Sequence, residues 1–380
     1  LVMSAGAAGC ALLLAGHLLR GRSRIAFGVL AGSLAAGFAL ASASDRIESA
    51  RKEAQWEPLR FLASHDSHFG HIDAVALGDQ VSVYRDGALV STLGDREAAF
   101  ALARMALLQS PRAERVLLLG GGFSGFIEAF KKLGVESVEF VEIDPDLVPF
   151  VEDAIGPDAT GQFGLPGVRM HIGDPRVYAR SSPDPYDIVL VVQSEPASLS
   201  QNRFFTREFY RILSGTLRED GVLVFAVECP DIQVSGERGR FLASLMNTVR
   251  SAFARVELIP GPPCTVVASN DPGFVLDEGL GAPEETQGYY TSLFRRDQSF
   301  ARSRLNFALK RFEATVRLNL DYFPMGYVYS LTEGTNRFLD PFPRMTAFLT
   351  SVDTSKLFVI PALLLVLVLA SILRRPASRA

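Results

Sequence analysis

A run of aliphatic residues ending in glycines, with carboxylates at the ends of the next two hydrophobic runs, is where this chain is best equipped for chemistry. Val116-Leu117-Leu118-Leu119 leads into Gly120-Gly121-Gly122-Phe123-Ser124-Gly125, the next apolar run closes on Val141-Glu142-Ile143-Asp144, and a third closes on Gly173-Asp174. Glycines after a strand let the backbone turn sharply and approach a ligand, and a helix starting there offers unpaired N–H groups. Glu142 is placed to accept hydrogen bonds from both hydroxyls of a ribose, and Asp174 would stand near an adenine amine. The glycine triplet alone would serve a plain strand-to-helix turn equally well. Its combination with two carboxylates at successive strand ends is the specific signal. The spacing departs from the dinucleotide fingerprint and suits an adenosyl ligand carrying a sulfonium, with Gly120, Gly121, Gly122, Gly125, Glu142, Ile143 and Asp174 as its contacts.

Other chemistries find less support. Of the three cysteines, Cys10 lies in an apolar run, while Cys229 and Cys264 show no spacing that suggests zinc or a redox pair. His65, His68 and His71 read as an ordinary polar loop, since no cysteine or carboxylate stands at ligand spacing, and no metal is expected. Lys+Arg 38 against Asp+Glu 42 leaves a net charge of -4, so there is no overall basic footprint for nucleic acid.

The elements that must position the glycines and carboxylates follow from periodicity. Strands are predicted at 72–76, 80–85 and 88–92, the last two joined by the hairpin signal Asp86-Gly87, and together they form a small β-subdomain. From residue 115 onward strands at 116–119, 137–142, 168–172, 187–192 and 222–227 alternate with helices at 124–133, 145–155, 205–214 and 237–253. That alternation predicts an α/β fold with a mostly parallel, doubly wound sheet.

The composition holds one oddity: 48% hydrophobic residues, 21% charged, yet a mean hydropathy of +0.18. The excess sits at the ends. Residues 1–19 and 25–44 carry no formal charge and are separated by Arg20, Arg22 and Arg24, while 357–373 lies between Lys356 and Arg374-Arg375. Each run is long enough to cross a hydrocarbon core of about 30 Å. Gly28 and Gly32 in the second stand at a spacing that lets membrane helices approach closely. The expected organisation is two transmembrane helices (1–44), a linker and small β-subdomain (45–110), a Rossmann-like adenosyl-binding domain (111–275), a C-terminal helical extension (276–356), and a transmembrane helix with a basic tail (357–380). The arginines weakly favour the central region lying outside the cytoplasm, but Arg46, Arg51, Lys52, Arg344 and Lys356 offset them and the side stays open.

From about residue 69 to 331 the sequence resembles the spermidine synthase family of aminopropyltransferases, and more closely its bacterial membrane-fused members. The likeness rests on the glycine motif, Val141-Glu142-Ile143-Asp144, Gly173-Asp174, Tyr186-Asp187, the stretch Asn202-Arg203-Phe204-Phe205-Thr206-Arg207-Glu208-Phe209-Tyr210, and Asn319-Leu320-Asp321 before Pro324 and Tyr327. The resemblance implies a Rossmann-like, methyltransferase-type sheet with a small N-terminal β-subdomain, here flanked by transmembrane helices. It implies S-adenosylmethionine or decarboxylated S-adenosylmethionine as co-substrate, a polyamine acceptor and oligomers formed through the synthase domain. The implied setting is a multi-pass protein of the bacterial inner membrane, with the lipid bilayer and a small adenosyl ligand as partners.

The chain departs from this pattern on the acceptor side. The acid after the third glycine is replaced by Phe123, and the family's Asp-x-x-Asp-Pro becomes Val192-Gln193-Ser194-Glu195-Pro196, which leaves Glu195 as the remaining catalytic acid or base. Its Tyr-His-Glu segment corresponds to Ala99-Phe100-Ala101 and its Tyr-Gln pair to Phe69-Gly70. A pocket lined by Phe123, Val192 and Phe100 suits a polycation poorly, because an unpaired buried ammonium costs several kcal/mol. Three readings stay open: aminopropyl or methyl transfer to another acceptor, an inactive adenosyl-ligand sensor, or a structural domain of a transporter-like membrane protein. The first two require the domain in the cytoplasm, where adenosyl donors are made. Arg295, Arg296, Arg302, Arg304, Lys310 and Arg311 fall on an amphipathic helix with Leu305, Phe307, Ala308 and Phe312, a solvated face or a contact for anionic headgroups.

Overall fold

A computed structural model describes residues 51–93, 96–193, 195–229, 236–261, 263–277 and 298–336. The apolar runs 1–19, 25–44 and 357–373 lie outside the described residues. Among the described residues no helix is long and apolar enough to cross a membrane.

The elements follow one another as β1 (Arg60–Ser67), β2 (Gly70–Leu77), β3 (Gln80–Arg85), β4 (Ala88–Leu93), α1 (Arg96–Gln109), β5 (Arg115–Leu119), α2 (Phe126–Lys132), β6 (Ser137–Glu142), α3 (Leu147–Ile155), β7 (Val168–Ile172), α4 (Pro175–Ser181), β8 (Tyr186–Val191), α5 (Leu199–Asn202), α6 (Arg207–Thr216), β9 (Leu217–Val227), α7 (Gly236–Arg250), β10 (Arg255–Ile259), β11 (Cys264–Ser269), α8 (Gln298–Glu313) and α9 (Met325–Asn336). The chain divides into two compact units: one runs up to Ser64 and includes Asp73–Val81, the other comprises His65–Ile72 and everything from Ser82 on. In the first, the buried Lys52 pairs with Asp73 at 3.4 Å and lies 5.8 Å from the centre of the Phe61 ring. All of the candidate site belongs to the second.

Strands β1 to β4 form a four-stranded sheet in sequence order. Asp86 and Gly87 both take positive φ, 50° and 78°, the geometry of the tight hairpin that their sequence predicts. The seven strands of the larger sheet run in the order β7-β6-β5-β8-β9-β11-β10. Strands β5 to β9 are parallel and β11 is antiparallel to both its neighbours. Connections from β5 proceed outward first on one side and then on the other, so the carboxyl ends of β5 and β8 flank the switch point where such sheets bind ligands.

Both faces of the central strands are buried, as parallel sheets require. Alternation along β5 and β8 sends Leu117, Leu119, Val189 and Val191 to a core completed by Phe209, Tyr210 and Phe241, and Val116, Leu118, Ile188 and Leu190 to one completed by Ala103, Ile127 and Phe130. Helix α8 joins the first core through Leu305 and Leu309, and Phe312 closes on α7 so tightly that a Cβ on Gly239 would lie 2.4 Å from its ring.

Four expectations need correction. The His65, His68 and His71 segment is a hairpin, not a loop: His65 lies in β1, His71 in β2 and His68 in the turn, with His71 bonded to Asp66. Helix α1 occupies the end of the stretch assigned to linker and β-subdomain. Its buried Ala99, Ala103 and Ala106 give the right helical spacing but little hydrophobic contrast. The β10–β11 hairpin was not anticipated. It also brings together Cys229 and Cys264, which form a disulfide with Cα atoms 5.5 Å apart. Their 35-residue separation concealed a pairing that the antiparallel register Cys264↔Val227 makes local.

Candidate functional site

Gly120 and Gly121 take φ of +78° and +68°, and added Cβ atoms there would lie 2.4 Å from the Val192 carbonyl oxygen and 2.6 Å from the Val192 Cβ. Only glycine satisfies both the dihedral and the close approach. The exits of β5, β6 and β8 are fastened together, since Val192 N–H donates to the Leu119 carbonyl at 2.9 Å and Gly120 N–H to the Val141 carbonyl at 3.1 Å. Gly122 serves packing instead: a Cβ there would stand 2.3 Å from the Phe140 ring. Gly125, at φ +82°, starts α2.

At the end of β6, Glu142 is buried and accepts from the Asp144 N–H at 3.0 Å. Burial pushes its carboxyl above the ordinary range, opposed by the Arg85 guanidinium 3.6 Å away. Arg85, the last residue of β3, also reaches the fully buried Asp144 at 3.1 Å, and Ser67 donates to the same carboxylate at 2.7 Å. One arginine therefore straddles both acids of Val141-Glu142-Ile143-Asp144.

Gly120, Gly121, Glu142, Ile143, Val192 and Gln193 line one side of a cleft at the switch point; Phe69, Arg85, Asp86 and Val90 line another, and Ser198, Ser200, Gln201 and Phe204 complete it. Its volume is about 70 Å³, small beside the roughly 300–1,000 Å³ usual for small-molecule sites. A ligand as large as an adenosyl sulfonium enters only if side chains there withdraw, Arg85 foremost.

Of the residues predicted to bind the ligand, Gly120, Gly121, Glu142 and Ile143 line the cleft, and Gly122, Gly125 and Asp174 do not. Asp174 caps α4, accepting from the Arg176 N–H at 2.9 Å and from Arg203 at 2.5 Å. The same two arginines belong to a junction with the C-terminal extension: Arg176 pairs with Asp321 at 2.7 Å, and Thr206 donates to Asp321 at 2.6 Å. Hydrogen bonds on both carboxyl oxygens and Arg176 beside it hold the Asp321 carboxyl below its ordinary range, although burial opposes this. Asn319, also buried, donates to Asn202 at 3.0 Å and to the Phe205 carbonyl at 2.9 Å. The segment behind the cleft's Ser198–Phe204 wall is thus bolted to the chain that leads to α9.

Glu195 is absent from the cleft lining. Arg238 holds it with two hydrogen bonds of 2.7 Å, and the Glu228 N–H donates to it at 2.9 Å. Nor do the expected apolar neighbours assemble. Phe123 packs edge-on against Phe163, with centroids 5.3 Å apart, and Phe100 lies beneath Lys132 at 5.6 Å, so Val192 alone of the three reaches the cleft. Sequence reasoning missed Arg85, Asp86, Gln193 and the serines. Arg85 was legible as the residue preceding the Asp86-Gly87 turn, but nothing in the sequence aims it at Glu142. Among the described residues no group of three His, Cys, Asp or Glu gathers as metal ligands would.

A seven-stranded sheet of this order, with a glycine turn and a strand-end carboxylate at its switch point, defines a Rossmann-like, methyltransferase-type domain. Residues 99–257 match the family model for the spermine/spermidine synthase domain, so this part of the chain is similar to that domain. A spermidine synthase of Schizosaccharomyces pombe is 28% identical over 223 residues, 54% of this chain and 72% of the yeast protein. Polyamine aminopropyltransferase 1 of Bacillus cereus is 31% identical over 176 residues, 45% of this chain and 62% of its own, so the chain spans less than two thirds of that relative. Among solved structures, spermidine synthase from Thermotoga maritima superposes with a TM-score of 0.52 at 22% identity, over 65% of this chain and 88% of its own. A spermidine synthase in complex with the transition state analogue AdoDATO gives 0.53 at 22% identity, over 65% and 89%. At that identity the structural likeness establishes the fold.

Proposed function

We propose that this is a membrane-anchored relative of the aminopropyltransferases that binds S-adenosylmethionine or its decarboxylated form and does not transfer to a polyamine. The observation that carries this reading is the contrast between two acids: Glu142 faces the cleft beside Gly120 and Gly121, whereas Glu195 is held outside it by Arg238. Aminopropyl transfer needs a carboxylate to take the amine proton and others to hold ammonium groups. The acids lining this cleft are Asp86 and Glu142, and Arg85 already pairs with the second. Gln193, Ser198, Ser200 and Gln201 are neutral, so an acceptor other than a polyamine would have to be uncharged. Calorimetry on the purified protein with S-adenosylmethionine, its decarboxylated form and methylthioadenosine is the test. Binding without transfer to putrescine or spermidine is expected; silence with all three ligands rejects the binding, and transfer rejects the loss of polyamine chemistry.

The Cys229–Cys264 disulfide favours a second reading. Disulfides persist in oxidising compartments and are rare in the cytosol. On that account the domain stands outside the cytoplasm, on the side the arginine distribution favours, separated from adenosyl donors and serving a structural role. Labelling of free thiols in intact cells, with and without prior reduction, tests it. Thiols masked until reduction support the outer placement, and thiols free from the start return the domain to the cytoplasm and the adenosyl reading.

A further inference from the structure

Helix α8 carries a strongly basic, exposed face outside the cleft. Leu305 and Leu309 face inward on α8 and are buried, and Phe312 lies against Gly239 of α7. Away from them stand Arg304, Phe307, Lys310 and Arg311, all exposed, with the Phe307 ring 80% accessible. Positions 304, 307 and 311 repeat at three and four residues, which places them on one face of the helix. The sole acid of α8, Glu313, is engaged by Arg250 at 2.7 Å. A bulky aromatic side chain left in water among three cations is an arrangement that burial in a protein core does not explain.

We propose that this face is a docking surface for an anionic bilayer, in which Phe307 inserts at the level of the headgroups and Arg304, Lys310 and Arg311 pair with lipid phosphates. Interfacial helices bind through such a combination of apolar insertion and attraction to anionic lipid. A bilayer is the occupant the chain itself supplies. Residues 337–356 separate α9 from the apolar run 357–373, and they reach at most about 70 Å when fully extended, so an inserted run tethers the end of α9 within that distance of a bilayer. The proposal rests on the membrane anchoring and is independent of what the cleft binds.

The full-length protein in lipid nanodiscs tests this. Phe307→Trp in a Trp56→Phe background leaves a single indole, whose quenching by brominated acyl chains reports insertion; thermal melting checks that the variant is folded. Strong quenching is expected in nanodiscs rich in phosphatidylglycerol and little in pure phosphatidylcholine, and Arg304→Glu with Lys310→Glu and Arg311→Glu should abolish it. In the unmodified protein, amide exchange of α8 should be roughly tenfold slower in the anionic discs. Absence of quenching in both lipids, with equal exchange, overturns the proposal and makes the face a protein contact. Equal quenching in both lipids overturns the role given to the charges.

Discussion

Two glutamates leave the same sheet at the exits of β6 and β8, the strands on either side of β5, and the chain treats them oppositely. Glu142, at the end of β6, stays on the cleft wall beside glycines that bring the backbone close. Glu195, beyond the end of β8, is turned away and clamped by Arg238 and the Glu228 N–H. What separates them is the first residue after β8. Val192 fits its side chain against Gly121 and puts no carboxylate at that exit. On the proposed reading the nucleotide side of the cleft is built and the acceptor side is filled in.

The largest effect expected lies on the filled side. Cys229→Ser opens a disulfide spanning 35 residues, for which loop entropy predicts a loss of about 3–4 kcal/mol. Denaturant unfolding with and without reductant measures it, and the unmodified protein plus reductant should behave like the variant. A loss below about 1 kcal/mol would mean that the β9–β11 pairing alone holds this side together. Next comes Glu142→Ala, which removes two charge-assisted acceptors and should weaken adenosyl binding about 100-fold, or about 2.7 kcal/mol. Because burial raises the Glu142 pKa and the ribose needs the ionised form, affinity should strengthen as pH rises through that raised value. Affinity that ignores both changes would show that the built side is not the binding side.

A third glutamate provides an internal control. Glu139 lies three residues before Glu142 on β6 and accepts from Tyr178 at 2.5 Å and Tyr186 at 2.6 Å, with Arg115 and Arg169 beside it. Burial pushes its carboxyl up, but the hydrogen bonds outweigh burial and hold it at about 2. Its folded pKa is depressed, so the stability it contributes is complete above the unfolded value near 4.5 and is lost as pH falls through about 2. Glu139→Gln should remove about 2 kcal/mol at neutral pH and flatten the acid limb of a stability profile, with adenosyl affinity unchanged.

The parallel strands were legible because each is a short apolar run bounded by turn residues, and β6 and β7 fall where their sequences place them. The site was half legible for a physical reason. Glycines and strand-end carboxylates carry their geometry in local sequence, so Gly120, Gly121, Glu142 and Ile143 were expected together, and they line one cleft. Asp174 shares that signature, yet its side chain caps α4 and meets Arg203, a contact set by tertiary packing. Arg85 arrives from another sheet, and Arg238 lies 43 residues from the Glu195 that it holds. No local pattern encodes such partners.

The smallest effect expected tests the comparison most directly. Glu195→Gln keeps the size of the side chain and one acceptor oxygen for Arg238 while removing the charge. The pair is partly buried, with side-chain exposures of 12% for Arg238 and 22% for Glu195, so the loss should exceed that of a surface ion pair yet stay near 1 kcal/mol. Adenosyl affinity should change less than about twofold, because Glu195 touches no part of the cleft. If instead the substitution lowered affinity tenfold while thermal melting stayed constant, Glu195 would have to swing inward when ligand binds. The two strand exits would then be one site in two states, with Arg238 as the residue that holds the second one open.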